Sequence, residues 1–275
     1  MHFQIHHESL YRYDVPVALG SHLLRLTPRA AEVRLSSQRF VIEPEPSTWS
    51  HEIDAFGNAV TRVNFVGTTE RLRISSQLEL DTWPPLPLIA QLPPLPLLPP
   101  PWDELAAYRQ AVVHPNVQQF AESLSLQVGR DPIRYLDHLT RTLHARIDHQ
   151  VRPSGDAYAA ELTLASGRGA CRDTTRLFLD ACRCLGLPGR FASGYQAQAQ
   201  TPDGQRHLHA WAEIFLPGIG WSGWDATHGV RVGEGHVALC AAPAQAATMP
   251  IEGGFFFQGA VVNSTLDHSV RISTR

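Results

Sequence analysis

The chain has 275 residues, 43% hydrophobic and 18% charged, with a formal net charge of -3. That balance fits a folded globular protein with a substantial core and excludes a disordered one, while the slight acidic excess argues against a nucleic-acid surface, which shows as a basic face. There is no charge run and no apolar run of about 18 residues, so no membrane contact is expected.

"MHFQIHHESLYRYDV" holds no apolar stretch of signal-peptide length. Four cysteines are too few for a disulfide framework in a chain this long, so reduced thiols and a cytoplasmic location are expected. Residues 1–82 read as strands: "HFQIHHESLYRY", "QRFVIEPE", "AVTRVNFVG" and "RLRISSQLELDT" alternate apolar and polar residues, with turn signals such as "FGN" between them. The expectation is an all-β, sandwich-like N-terminal domain. Residues 83–102, "WPPLPLIAQLPPLPLLPPPW", hold nine of the 21 prolines and read as a stiff connector whose leucines need covering.

Residues 103–275 form the second predicted unit, with helices first. "DELAAYRQAV" and "HPNVQQFAESL" precede "DPIRYLDHLTRTLHARI", which sets Ile133, Leu136, Leu139, Leu143 and Ile147 on one stripe. A helix then starts at Cys171 and is stopped by Gly186 and Pro188. "RFASGYQAQ", "HAWAEIFL", "GWSGWDAT", "GAVVNS" and "SVRIST" follow as strands of an antiparallel sheet, giving an α+β fold.

Three residues in this unit can carry chemistry: Cys171 at a helix start, His209 at a strand start and Asp225 at a strand end, in that order with gaps of 38 and 16 residues. A helix N-terminus favours a thiolate, an imidazole can take the thiol proton, and a carboxylate can fix that imidazole's tautomer. Each residue also has a plain structural reading: a buried packing thiol, a hydrogen-bonded histidine, a turn-capping carboxylate with Thr227. His207 and His209 share one side of a strand, so periodicity leaves both open as the base. Cys182 and Cys184, inside the helix, are expected to be packing residues, and no cysteine or histidine spacing makes a metal site.

"GACRDTTRLFLDACRCLGLPGRFASGY" and "HAWAEIFLPGIGWSGWDATHG", in this order, resemble the bacterial branch of the transglutaminase-like superfamily. The resemblance is strong over residues 160–229 and weak over 1–82. It implies a β-rich N-terminal domain before a papain-like, transglutaminase-like α+β core, with Cys171 as nucleophile, His209 as general base and acid, and Asp225 as orienting carboxylate. It favours His209 over His207 because the family's histidine directly precedes "AW". It also implies that Arg172 and Asp173 brace the helix start. The sequence departs from the family at Ala226 and His228, where "DATHG" replaces a "DPTNG"-like stretch, and at Cys240, where "CAAPAQ" replaces a "GRDY"-like one.

The expected activity is therefore cysteine-dependent acyl transfer on peptide or glutamine-type amides through a thioester, resolved by water or by an amine. The partner is a peptide or protein substrate; no cofactor is expected. A non-catalytic peptide-binding scaffold that keeps the fold is the alternative.

Overall fold

Alternating apolar residues produce the first strand of the computed structural model, which describes residues 1–99, 104–152, 154–197, 206–259 and 261–275. In β1 (His2–Leu19), Phe3, Ile5, His7 and Ser9 are buried while their neighbours are not. β2 (His22–Leu24), β3 (Arg34–Glu43), β4 (Thr48–Ile53), β5 (Ala59–Asn64) and β6 (Thr69–Asp81) complete the N-terminal strands.

The helical part follows: α1 (Ala106–Arg109), α2 (Pro115–Gln127), α3 (Pro132–Arg146), β7 (Asp148–His149), α4 (Ala160–Ser166), β8 (Arg168–Gly169) and α5 (Cys171–Arg183). Proline stands in the first turn of α2 and α3, where its missing N–H costs nothing, and the Asp131 side chain caps α3 by accepting from Arg134 N–H at 2.9 Å. The strands β9 (Gly189–Gln196), β10 (His209–Leu216), β11 (Gly220–Asp225), β12 (Val230–Arg231) and β13 (His236–Ala242) come next, then β14 (Ile251–Glu252), β15 (Phe255–Phe256) and β16 (Ser264–Thr274).

These strands make three main sheets. One is antiparallel in the order β12-β11-β10-β9-β13; a second runs β14-β2-β5-β4. The third runs β15-β1-β6-β3, with β16 added along β1 from Phe3↔Thr274 to Tyr13↔Ser264. Helices α2, α3 and α5 pack on one face of the β9–β13 sheet around Leu136, Phe178 and Ile214. Its other face, through Tyr195, Val237 and Leu239, shares a core with Phe3, Leu72 and Leu80 of the N-terminal strands. β9 and β13 are thus buried along their whole length, which explains why "HVALCAA" carries no alternation.

The structure differs from the sequence reading in three places. The final strand, expected with the other strands of the second predicted unit, instead lies along β1 in the sheet of the N-terminal strands, because β1 offers its free ladder groups there. α4 and β13 lacked a periodic signal. The first helix is one short turn, and its expected acidic start at Asp103, like connector residues 100–102, lies outside the described residues. In the connector, Leu95 and Leu97 are buried, and Leu97 N–H donates to Leu185 O at 2.9 Å.

Candidate active site

Cys171 occupies the first position of α5, after Ala170 in an extended conformation (φ -79°, ψ 170°). Asp173, fully buried, fixes this start. Its Oδ2 accepts from Ala170 N–H at 2.7 Å; its Oδ1 accepts from Tyr158 N–H at 2.8 Å and from Arg152 at 2.6 Å. Gly169 permits the approach, since a Cβ there would lie 2.9 Å from the Asp173 Cβ. Arg172 takes another route: its Nη2 donates to Ser154 O at 2.6 Å.

His209 opens β10, which runs antiparallel to β11, the strand that ends at Asp225. His209 Nε2 donates to Asp225 Oδ2 at 2.8 Å, and the imidazole also makes a side-chain hydrogen bond with the Cys171 thiol. With Nε2 engaged, Nδ1 is the nitrogen left for sulfur. The structure therefore brings Cys171, His209 and Asp225 into one relay, while His207 turns away to contact His268 Nε2 at 3.0 Å.

Asp225 is wholly buried and its charge is fully used. Oδ2 also accepts from His228 Nδ1 at 2.8 Å and His236 Nε2 at 3.1 Å, and Oδ1 from the backbone N–H groups of Thr227 at 3.0 Å and His228 at 3.2 Å. The turn-capping and histidine-orienting readings are thus both realised, one on each oxygen. Burial alone would raise this carboxyl's pKa, but the His209 charge and the surrounding donors hold it well below the usual range.

The same competition acts on the other two groups. Burial disfavours the His209 imidazolium, yet the Asp225 carboxylate and the thiol outweigh it and carry the pKa up to about 10. Burial likewise opposes the Cys171 thiolate, but the His209 hydrogen bond and charge, the Ala210 N–H and the Arg172 charge bring its pKa below the ordinary thiol value. The arrangement stabilises a thiolate–imidazolium pair. By contrast burial pushes Cys184 up to about 12 and Cys240 up to about 11, and raises Cys182 well above the normal value.

The thiol opens on a cleft of about 340 Å³. The cleft is lined by the start of α5, by residues 149–152, 154 and 155, and by His7, Ser9 and Tyr11 of β1 with Leu266 and His268 of β16. The N-terminal strands thus form part of the site, which sequence reasoning missed. The available signal was a histidine and a serine within the otherwise apolar stripe Phe3, Ile5, Tyr13. His149 was also missed: it borders the cleft, both its ring nitrogens are buried without a partner, and burial lowers its pKa. Cys240 stays behind the sheet, against Ser193 Oγ at 3.2 Å.

Among the described residues, His209, Asp225 and His228 place one ligand atom each within 4.8 Å of one another, a donor set that suits zinc. Those residues already hydrogen-bond one another, so a metal there would have to displace the His209–Asp225 and His228–Asp225 bonds.

Residues 3–81 match the family described as bacterial transglutaminase-like N-terminal region, and residues 119–226 match the transglutaminase-like superfamily. An uncharacterized protein of Mycobacterium leprae is 24% identical, covering 92% of this chain and 93% of its own. One of Mycobacterium tuberculosis is 26% identical, covering 98% and 92%. The crystal structure of "a Putative Cysteine Protease from Cytophaga hutchinsonii" superposes with a TM-score of 0.71 at 17% identity, over 99% of this chain and 90% of that one, and shares its fold. Together the family match and these neighbours support a cysteine-dependent enzyme in general terms.

Proposed function

The chain belongs to the transglutaminase-like superfamily, and from that premise we propose that it cleaves peptide or glutamine-type amides through a thioester on Cys171. The observation that carries this reading is the continuous contact from the Cys171 thiol through His209 to a buried, fully hydrogen-bonded Asp225.

The Cys171 thiolate attacks the amide carbon, and the carbonyl electron pair moves to oxygen. That oxyanion forms beside the start of α5, where the Cys171 N–H precedes the helical ladder that begins with Asp173 and Thr174 on Ala170 O. His209, protonated at Nδ1, gives its proton to the departing amine nitrogen; the C–N bond breaks and a thioester remains. Water then attacks the thioester, neutral Nδ1 takes its proton, the C–S bond breaks and the thiolate returns. Asp225 keeps Nε2–H fixed throughout and supports the imidazolium.

Water is favoured over an amine as the acceptor because the rim is wet: Leu266 is 50% exposed and His268 is exposed beside it. The test is mass spectrometry of a peptide library with and without a primary amine. Backbone cuts or one-unit deamidation are expected; amine incorporation in their place would reassign the second step. Iodoacetamide at about pH 6 should label Cys171 well ahead of Cys182, Cys184 and Cys240. Uniformly slow labelling of all four would end the enzymatic reading in favour of a binding scaffold.

A further inference from the structure

The cleft beside Cys171 has an unusual charge inventory. Its described lining holds Arg152, Arg172 and six histidines, and no aspartate or glutamate, although the chain as a whole carries a net charge of -3. The nearby carboxylates, Asp173 and Asp225, are wholly buried behind that lining.

The two guanidinium groups differ. Arg152 is neutralised by Asp173 at 2.6 Å and lies over the Tyr158 ring at 4.0 Å. Arg172 has no carboxylate partner among the described residues: its Nη2 reaches only a carbonyl, and its buried Nε has no acceptor at all. It is held in place beside the reactive sulfur; Asp173 and the thiolate act on its charge, but among the described residues neither forms an ion pair with it. A guanidinium so placed prefers a planar, two-oxygen anion, because its fork of donors matches a carboxylate.

Resting on the nucleophile assignment above, the geometry points to a carboxylate subsite at Arg172, so that the preferred acyl donor is an amide carrying a carboxylate close to the bond attacked. The carboxylate belongs either to an acidic side chain or to a free α-carboxyl group; both present the same two oxygens.

The test uses the full chain and two alkylating reagents that differ only in charge. Iodoacetate and iodoacetamide both lose iodide to the Cys171 thiolate, so their rate ratio cancels any change in thiolate fraction and reads the anion's own attraction. A charge-assisted hydrogen bond is worth roughly 1.5–3 kcal/mol, so Arg172→Gln should lower the iodoacetate-to-iodoacetamide ratio by about tenfold or more. Arg172→Lys, which keeps the charge, should lower it less. In the wild type, where no refolding question arises, N-acetylglutamine (free α-carboxyl) and N-acetylglutamate amide (side-chain carboxyl) are tested as protectants of Cys171 against iodoacetamide. N-acetylglutamine amide is the neutral control. Protection by either acid beyond the control supports the subsite and names the source of the carboxylate.

An unchanged ratio in Arg172→Gln, or no protection by either acid beyond the control, overturns the proposal while leaving the nucleophile intact. Slow, uniform labelling of all four cysteines instead ends the nucleophile reading, and this inference with it.

Discussion

At the scale of single residues, the site works by setting strong local interactions against burial. Cys171, His209 and Asp225 are all pushed towards their neutral forms by desolvation; His209 returns both Cys171 and Asp225 to their charged forms, and those two together do the same for His209. Removing His209 therefore strips both anions of a compensating charge. Cys171→Ala and His209→Ala are each expected to abolish amide turnover, measured by product mass, without loss of the folded state by circular dichroism. Asp225→Asn should retain a folded protein whose turnover falls on the order of 10³–10⁴-fold, because an amide neither supports the imidazolium nor fixes its tautomer. Full activity in His209→Ala would instead move the base to His207 or His228.

At the scale of elements, α5 matters at both ends. Its start is held by Asp173, a buried carboxylate that accepts three hydrogen bonds, from Ala170, Tyr158 and Arg152. Asp173→Ala leaves the Arg152 guanidinium unpaired and the Ala170 N–H unsatisfied. A loss of about 3 kcal/mol is expected, read as the shift in urea midpoint. Its end turns at Gly186, whose φ of +78° suits only a residue without Cβ; an added Cβ would lie 2.0 Å from Leu97 O in the connector. Gly186→Ala should cost at least about 1 kcal/mol of stability by thermal melting. A melting temperature equal to wild type would mean that the connector does not pack there in solution.

At the scale of the whole molecule, the N-terminal strands do more than precede the core, because they wall the cleft and share the core behind it. His7 marks that junction: its Nδ1 meets the buried Tyr195 hydroxyl at 2.9 Å, and burial lowers its pKa from 6.5 to about 4. Since the folded value lies below the unfolded one, the unfolded chain takes up this proton first as pH falls. Stability is thus retained above about pH 6.5 and lost between there and about pH 4, by up to about 3 kcal/mol from this group. Melting temperatures across that range should fall less steeply in His7→Gln. An identical slope would show that His7 titrates alike in the folded and unfolded chain.

The sequence by itself named the candidate residues Cys171, His209 and Asp225 and determined most of the elements that the structure places around them. Cys171 was legible because glycine and alanine precede a strongly amphipathic helix, and β1, β5 and β6 because one face of each is buried and the other is not. What only tertiary structure decided was partnership across long separations. Alternation left His207 and His209 both open and the family resemblance favoured His209; the register that sets β10 beside β11 is what brings His209 to Asp225. The clamp of His228 and His236 on the same oxygen and the return of β16 to β1 have no local signal, and the cleft wall from β1 has only the polar His7 and Ser9 within an apolar stripe. Period and capping are properties of neighbouring residues, whereas each of these contacts depends on which sheet faces cover one another.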